Sequence, residues 1–186
     1  MALTYRIVRD ARRRSLKAAV ENGELVVYAP RGVSEWQIRM FVSQNADRLE
    51  QILRTERARA AAAEQAGLLS EADVEALKKA AKKEFPRLVE RFAPLVGVSY
   101  GRIAVRVQKT RWGSCSGAGN LNFNALLMLA PENVREYVVV HELCHRKHMD
   151  HSKAFWAEVA RVYPGYRAAK SWLTKNGGVL QARVGK

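Results

Sequence analysis

The chain has 186 residues, is 48% hydrophobic and carries a formal net charge of +14. That hydrophobic share excludes a disordered chain and supports one buried core with room for a small extra lobe. No apolar run approaches the ~20 residues of a membrane span, no apolar leader opens the chain, and two cysteines fit a reduced, cytoplasmic protein.

Residues 3–9, 15–21 and 24–29 alternate as strands, with Asn22-Gly23 as a hairpin turn and Arg12-Arg13-Arg14 as an exposed turn. Pro30 and Gly32 end this sheet. Ser34 and Gln37 form a capping-box pattern, and Trp36, Phe41, Val42, Leu49, Ile52 and Leu53 mark the buried stripe of the helix that follows. The segment 54–65, rich in Ala, Arg and Glu, favours helix but has little to bury and reads as an exposed arm. Ser70 and Asp73 start a second long helix with Val74, Leu77, Leu88 and Phe92, which Pro86 should kink or restart. Gly97 and Gly101 bracket the way into a strand with Ile103, Val105 and Val107 inward. Then come Thr110-Arg111-Trp112-Gly113-Ser114-Cys115-Ser116, a turn at Gly117 and Gly119, and a strand near 121–123.

Tyr137-Val138-Val139-Val140 has strand composition. It nevertheless leads into His141-Glu142-Leu143-Cys144-His145, and two imidazoles four residues apart share a face only on a helix. That spacing supplies two ligands for one ion, with Glu142 at the edge of the face as a base for a metal-activated water. Three residues can add the third ligand. His148 would sit about 10.5 Å along the axis from His141 at ~1.5 Å per residue, a poor geometry for one tetrahedral ion. His151 lies where Met149-Asp150-His151-Ser152 ends one helix, with Ser152 capping the next, so it can turn back. Glu158 lies on that next helix, with Phe155, Trp156, Val159 and Val162. A last helix is expected over 166–175, stopped by Gly177. The tail from Arg161 holds Arg167, Lys170, Lys175, Arg183 and Lys186 and no acid. Such a balance suits polyanions or phosphates, or simply a solvated surface.

The Trp112-Gly113-Ser114-Cys115-Ser116 block, Gly119-Asn120-Leu121-Asn122-Phe123-Asn124, the His-Glu motif and His151-Ser152-x-x-Phe155-Trp156 occur in this order. Together they resemble the YgjP-like metallopeptidase family, bacterial metal-dependent hydrolases of the zincin type. The likeness extends over nearly the whole chain. It implies one zinc on His141, His145 and His151, with Glu142 as general base. Some members are described as UTP pyrophosphatases, so a nucleotide substrate with an added divalent cation stays open beside a peptide. The chain is also similar, more distantly, to SprT-like and Wss1-like proteases that act near DNA, but it lacks the Cys-x-x-Cys pairs of their zinc ribbon.

The expected fold is α+β: an N-terminal β lobe (1–32), a helical segment (33–98) and a zincin-like catalytic core (99–186) whose active-site helix carries the His-Glu motif. The segment 119–124 is the candidate edge strand for an extended peptide. Arg111, Asn124 and Tyr163 are candidate substrate contacts, Arg111 through a carboxylate or phosphate. Expected partners are a peptide or nucleotide substrate and weak nucleic-acid association through the basic surface, with no membrane.

Overall fold

The computed structural model describes residues 3–184. Its elements are β1 (Tyr5–Arg9), β2 (Lys17–Glu21), β3 (Glu24–Ala29), α1 (Glu35–Gln44), α2 (Ala46–Gln65), α3 (Glu71–Val96), β4 (Ile103–Arg106), β5 (Gly113–Cys115), β6 (Leu121–Asn124), α4 (Glu132–Cys144), α5 (Lys153–Val162) and α6 (Tyr166–Ala182). The architecture is α+β, and the chain divides into two compact units between Gln65 and Ala66. That boundary falls inside the segment 33–98 that the sequence marks as helical.

In the first unit β3 is the central strand of the order β1-β3-β2. It pairs in parallel with β1 and antiparallel with β2. Asn22 and Gly23 both take positive φ, 54° and 76°, which is what a two-residue turn between twisted strands needs. Ser34 caps α1 with Gln37 reciprocating. The buried residues of the two helices are Ile38, Val42, Leu49, Leu53 and Ala63, the last of them inside the segment 54–65 that was expected to be an exposed arm. Trp36 is 63% exposed and Ile52 also faces out, so the buried stripe differs from the expected one at these two residues.

The second unit opens with α3, capped by Ser70 and Asp73 and closed by Gly97 in the left-handed region. It runs as a single 26-residue helix through Pro86. Phe85, on this helix, stacks on Phe123 of β6 at 4.7 Å. The Tyr-Val-Val-Val run is indeed helical. Val134, Val138, Val139, Val140 and Leu143 of α4 are all nearly inaccessible, and a helix covered on most sides is apolar most of the way round.

Two expectations are corrected here. The small sheet has the order β4-β6-β5, with β6 parallel to β4 and antiparallel to β5. Residues 121–124 therefore form the central strand, the edges are β4 and β5, and the edge beside the histidines is Gly113–Cys115. Gly177 does not stop α6, which continues to Ala182. Its missing side chain instead makes room for Trp112, whose ring would lie 2.9 Å from a Cβ there. No helix among the described residues is long and apolar enough to cross a membrane.

Candidate metal centre

His141 lies in the last turn of α4, and His145, directly after it, keeps right-handed helical geometry. The two imidazoles therefore stay on one face. The next residues are pinned from behind. The Arg146 guanidinium donates to the Ser99 and Gly117 carbonyls and packs flat on Gly119. Asp150 then accepts from the Ser152 amide, and the Ser152 hydroxyl caps α5 through the Phe155 amide. The chain turns between these two contacts, and His151 sits at the turn.

The ligand atoms of His141, His145 and His151 all lie within 4.8 Å of one another. His141 Nε2 and His151 Nε2 are 3.1 Å apart. A tetrahedral ion with Zn–N of 2.0–2.1 Å spaces its ligands about 3.3 Å apart, so this edge is nearly that of a coordination sphere. The remaining nitrogens agree. His145 Nδ1 lies 2.9 Å from the His148 carbonyl, which can only accept, so Nδ1 carries the proton and Nε2 keeps its lone pair. Burial, then the neighbouring His145, His151 and Lys170, push His141 down to about 3, which leaves that ring neutral and able to ligate. Its Nδ1 is buried without a hydrogen-bond partner. The donor set, three imidazoles and no thiolate, fits a divalent ion with a position left over.

Glu142 follows His141 at the edge of the histidine face of α4 and borders the same hollow as the three rings. It is 6% exposed, and burial pushes its carboxyl up to about 8. Positive charge at the three rings would oppose that shift. The carboxylate lies against Gly113 of β5, where a Cβ would come 2.5 Å from Oε1. The glycine of the Trp-Gly-Ser-Cys block thus leaves the space that Glu142 occupies. Two hollows meet at this point. One, of about 270 Å³, is bounded by Gly113, Cys115, Glu142 and the three histidines. The other, of about 240 Å³, is bounded by Trp112, Tyr137, His141, Glu142 and Leu173. Arg111 borders both.

The other sequence candidates fall as follows. Asn124 is 1% exposed, and its amide bonds the Gln108 and Arg111 carbonyls and caps the short 3-10 turn that follows. It holds the loop that carries Arg111 and does not border either hollow. Tyr163 is also away from both. Its hydroxyl lies 3.1 Å from the Asn133 carbonyl and from Glu136, and burial with that carboxylate pushes it up to about 12. Glu158 is held by Lys147 at 2.7 Å and Arg161 at 2.8 Å, lies outside the histidine cluster, and is lowered to about 2. His148 contributes its backbone carbonyl to His145. Tyr137 was missed as a site residue. It stands one turn before His141, packs edge-on to that ring at 5.8 Å and walls the second hollow. The i−4 spacing from His141 was the available signal, hidden in an apolar run.

Three imidazoles that could hold one ion, on a buried helix beside a short sheet edge, fit a metal-dependent hydrolase of the metallopeptidase class. Residues 63–176 match the family model described as YgjP-like, metallopeptidase domain, and the chain belongs to that family. Two solved structures are similar over about half of this chain. The metallopeptidase zymogen of Pyrococcus abyssi, abylysin, is 28% identical, covers 49% of this chain and 93% of its own, and has a TM-score of 0.43. That of Methanocaldococcus jannaschii, jannalysin, is 17% identical, covers 50% and 95%, and scores 0.44. No curated protein matches the sequence.

Proposed function

We propose that the protein is a zinc-dependent peptidase in which His141, His145 and His151 hold the ion and Glu142 is the general base. The convergence of three imidazole nitrogens within 4.8 Å carries this reading. When bound, zinc supplies Lewis acidity, lowering the pKa of a coordinated water to about 7 and polarising a carbonyl. The residues of this chain supply the rest. Glu142 accepts a proton on a carboxylate oxygen and delivers it to the departing amine, and its burial raises its basicity. Gly113 fixes where that carboxylate lies. Arg111, for which no acidic partner is seen among the described residues, and Tyr137 are the donors nearest the developing oxyanion.

The sheet edge supports an extended peptide. The Trp112 carbonyl accepts from the Asn124 amide, and the Ser116 amide donates to the Asn120 carbonyl. In an antiparallel ladder alternate residues face the partner strand, so 112, 114 and 116 face β6. Gly113 and Cys115 then turn their amides and carbonyls outward, on the side that borders the histidines, where a substrate strand could pair.

Chelator-stripped protein is expected to lose cleavage of a peptide library and regain it with one equivalent of Zn²⁺. Pyrophosphate release from UTP by the metal-loaded protein, with no peptide cleaved, would overturn the peptidase reading in favour of nucleotide hydrolysis. Gly113→Ala is expected to bind the ion normally and to lose about 10²-fold in kcat, because the added methyl displaces the base. Metal content and peptide turnover measured on the same preparation check this.

A further inference from the structure

On the α5–α6 side of the histidines an aromatic ladder leads away from the cluster. Trp156 lies nearly parallel to His151, at 5.8 Å and 27°, and to Tyr166, at 5.5 Å and 21°. It opens into a cleft of about 500 Å³. The α6 wall of that cleft is Arg167, Lys170, Ser171, Thr174 and Lys175. Their spacing of i, i+3, i+4, i+7 and i+8 puts three cations and two hydroxyls on one face of one helix.

No acid answers these cations. From Val159 to the C-terminus the sequence holds no Asp or Glu, and Arg167, Lys170 and Lys175 make no ion pair among the described residues. Some exposed cations on other helices are matched three or four residues away, as in Arg39–Glu35, Arg54–Glu50, Arg59–Glu56 and Lys78–Glu75, while others, such as Lys79, Lys82 and Lys83, are not. What sets the α6 face apart is its place beside the histidines. The aromatic surfaces of the cleft already hold cations. Lys170 Nζ stands 4.0 Å over Trp156, and the Arg167 guanidinium lies over Tyr166 and donates to its hydroxyl. Trp156 already has His151, Tyr166 and Lys170 against it and Tyr166 has Arg167, so what the α6 wall adds to the cleft is charge and the Ser171 hydroxyl.

We propose that this cleft is a specificity subsite that takes an Asp or Glu side chain of the peptide substrate next to the scissile bond. The proposal rests on the peptidase reading and deepens it. Lys170 and Arg167 meet the carboxylate and the Ser171 hydroxyl adds a hydrogen bond, while Thr174, whose hydroxyl donates to the Lys170 carbonyl, lines the wall.

The test is cleavage-site profiling of a peptide library by the zinc-loaded protein, with paired peptides carrying Glu or Gln at the selected position. Acidic residues are expected to be enriched on one side of the cleaved bonds. The Glu-over-Gln ratio should be about five- to tenfold, as a few partly exposed charge pairs allow. It should fall to about one or invert in the doubly substituted Arg167→Glu, Lys170→Glu protein, whose fold is checked by its melting temperature. Cleavage without acidic preference, or a preference untouched by the double substitution, overturns the subsite and leaves the peptidase reading standing. If no peptide is cleaved, the peptidase reading falls, and fluorescence anisotropy with the same labelled pairs decides the cleft. Equal binding of Glu and Gln peptides, or tighter binding of a single-stranded oligodeoxynucleotide than of the Glu peptide, overturns it. Preferential binding of the Glu peptide, lost in the double variant, supports it.

Discussion

Replacing Glu142 with Gln is expected to lower peptide turnover by about 10²–10⁴-fold while zinc content stays at one per chain. The amide keeps the shape that fits against Gly113 and stays outside the histidine cluster, so the ion loses no ligand. What disappears is the oxygen able to accept a proton beside the metal. Because burial already disfavours the charged carboxylate, the neutral amide should also fold at least as stably as the parent protein. Loss of metal together with activity would place Glu142 among the ligands instead. Retained activity would remove it from the reaction.

The second large effect concerns the third imidazole. His151→Ala is expected to weaken zinc binding by at least about 10²-fold and to abolish turnover at limiting zinc, since only two ligands would remain. His148→Ala should change zinc affinity by no more than about threefold, because His148 contributes only a backbone carbonyl to His145. Glu158→Gln should likewise leave zinc affinity unchanged, since that carboxylate is engaged with Lys147 and Arg161. Competition titrations with a chromogenic chelator measure all three. The reverse order, with His148 or Glu158 the sensitive position, would contradict the assignment of His151.

The helix that carries His141 and His145 was legible because chemistry overrode composition. A β-branched run before a metal motif must be helical if the two rings are to meet, and burial on most sides explains why its residues are apolar. The turn to His151 was legible for a local reason, since the Asp150 and Ser152 side chains act within three residues. The edge strand was not. Gly113–Cys115 is three residues long, with none of the β-branched residues that mark strands, and its place at the edge depends on β6 pairing with the distant β4. Sheet order is a long-range property that no window of sequence contains.

The same distinction separates the glycines and the polar candidates. Gly23 and Gly97 were readable because they serve local backbone turns. Gly113 and Gly177 serve contacts with Glu142 and Trp112, remote in sequence, so one passed as part of a motif and the other as a helix stop. Asn124 and Tyr163 carry the donors a substrate site needs, but those groups are engaged in bonds that brace the loop at 108–111 and the start of α4. Tyr137, which borders the second hollow, was read only as part of the strand-like run before the His-Glu motif.

The most direct measurement of the metal centre is zinc K-edge X-ray absorption of the zinc-loaded protein. Three imidazole nitrogens and one or two light-atom ligands at about 2.0–2.1 Å, with no sulfur, are expected. A sulfur at about 2.3 Å, which would bring in Cys115, or four protein ligands closing the sphere, would contradict an open three-histidine site and with it the hydrolytic role of Glu142.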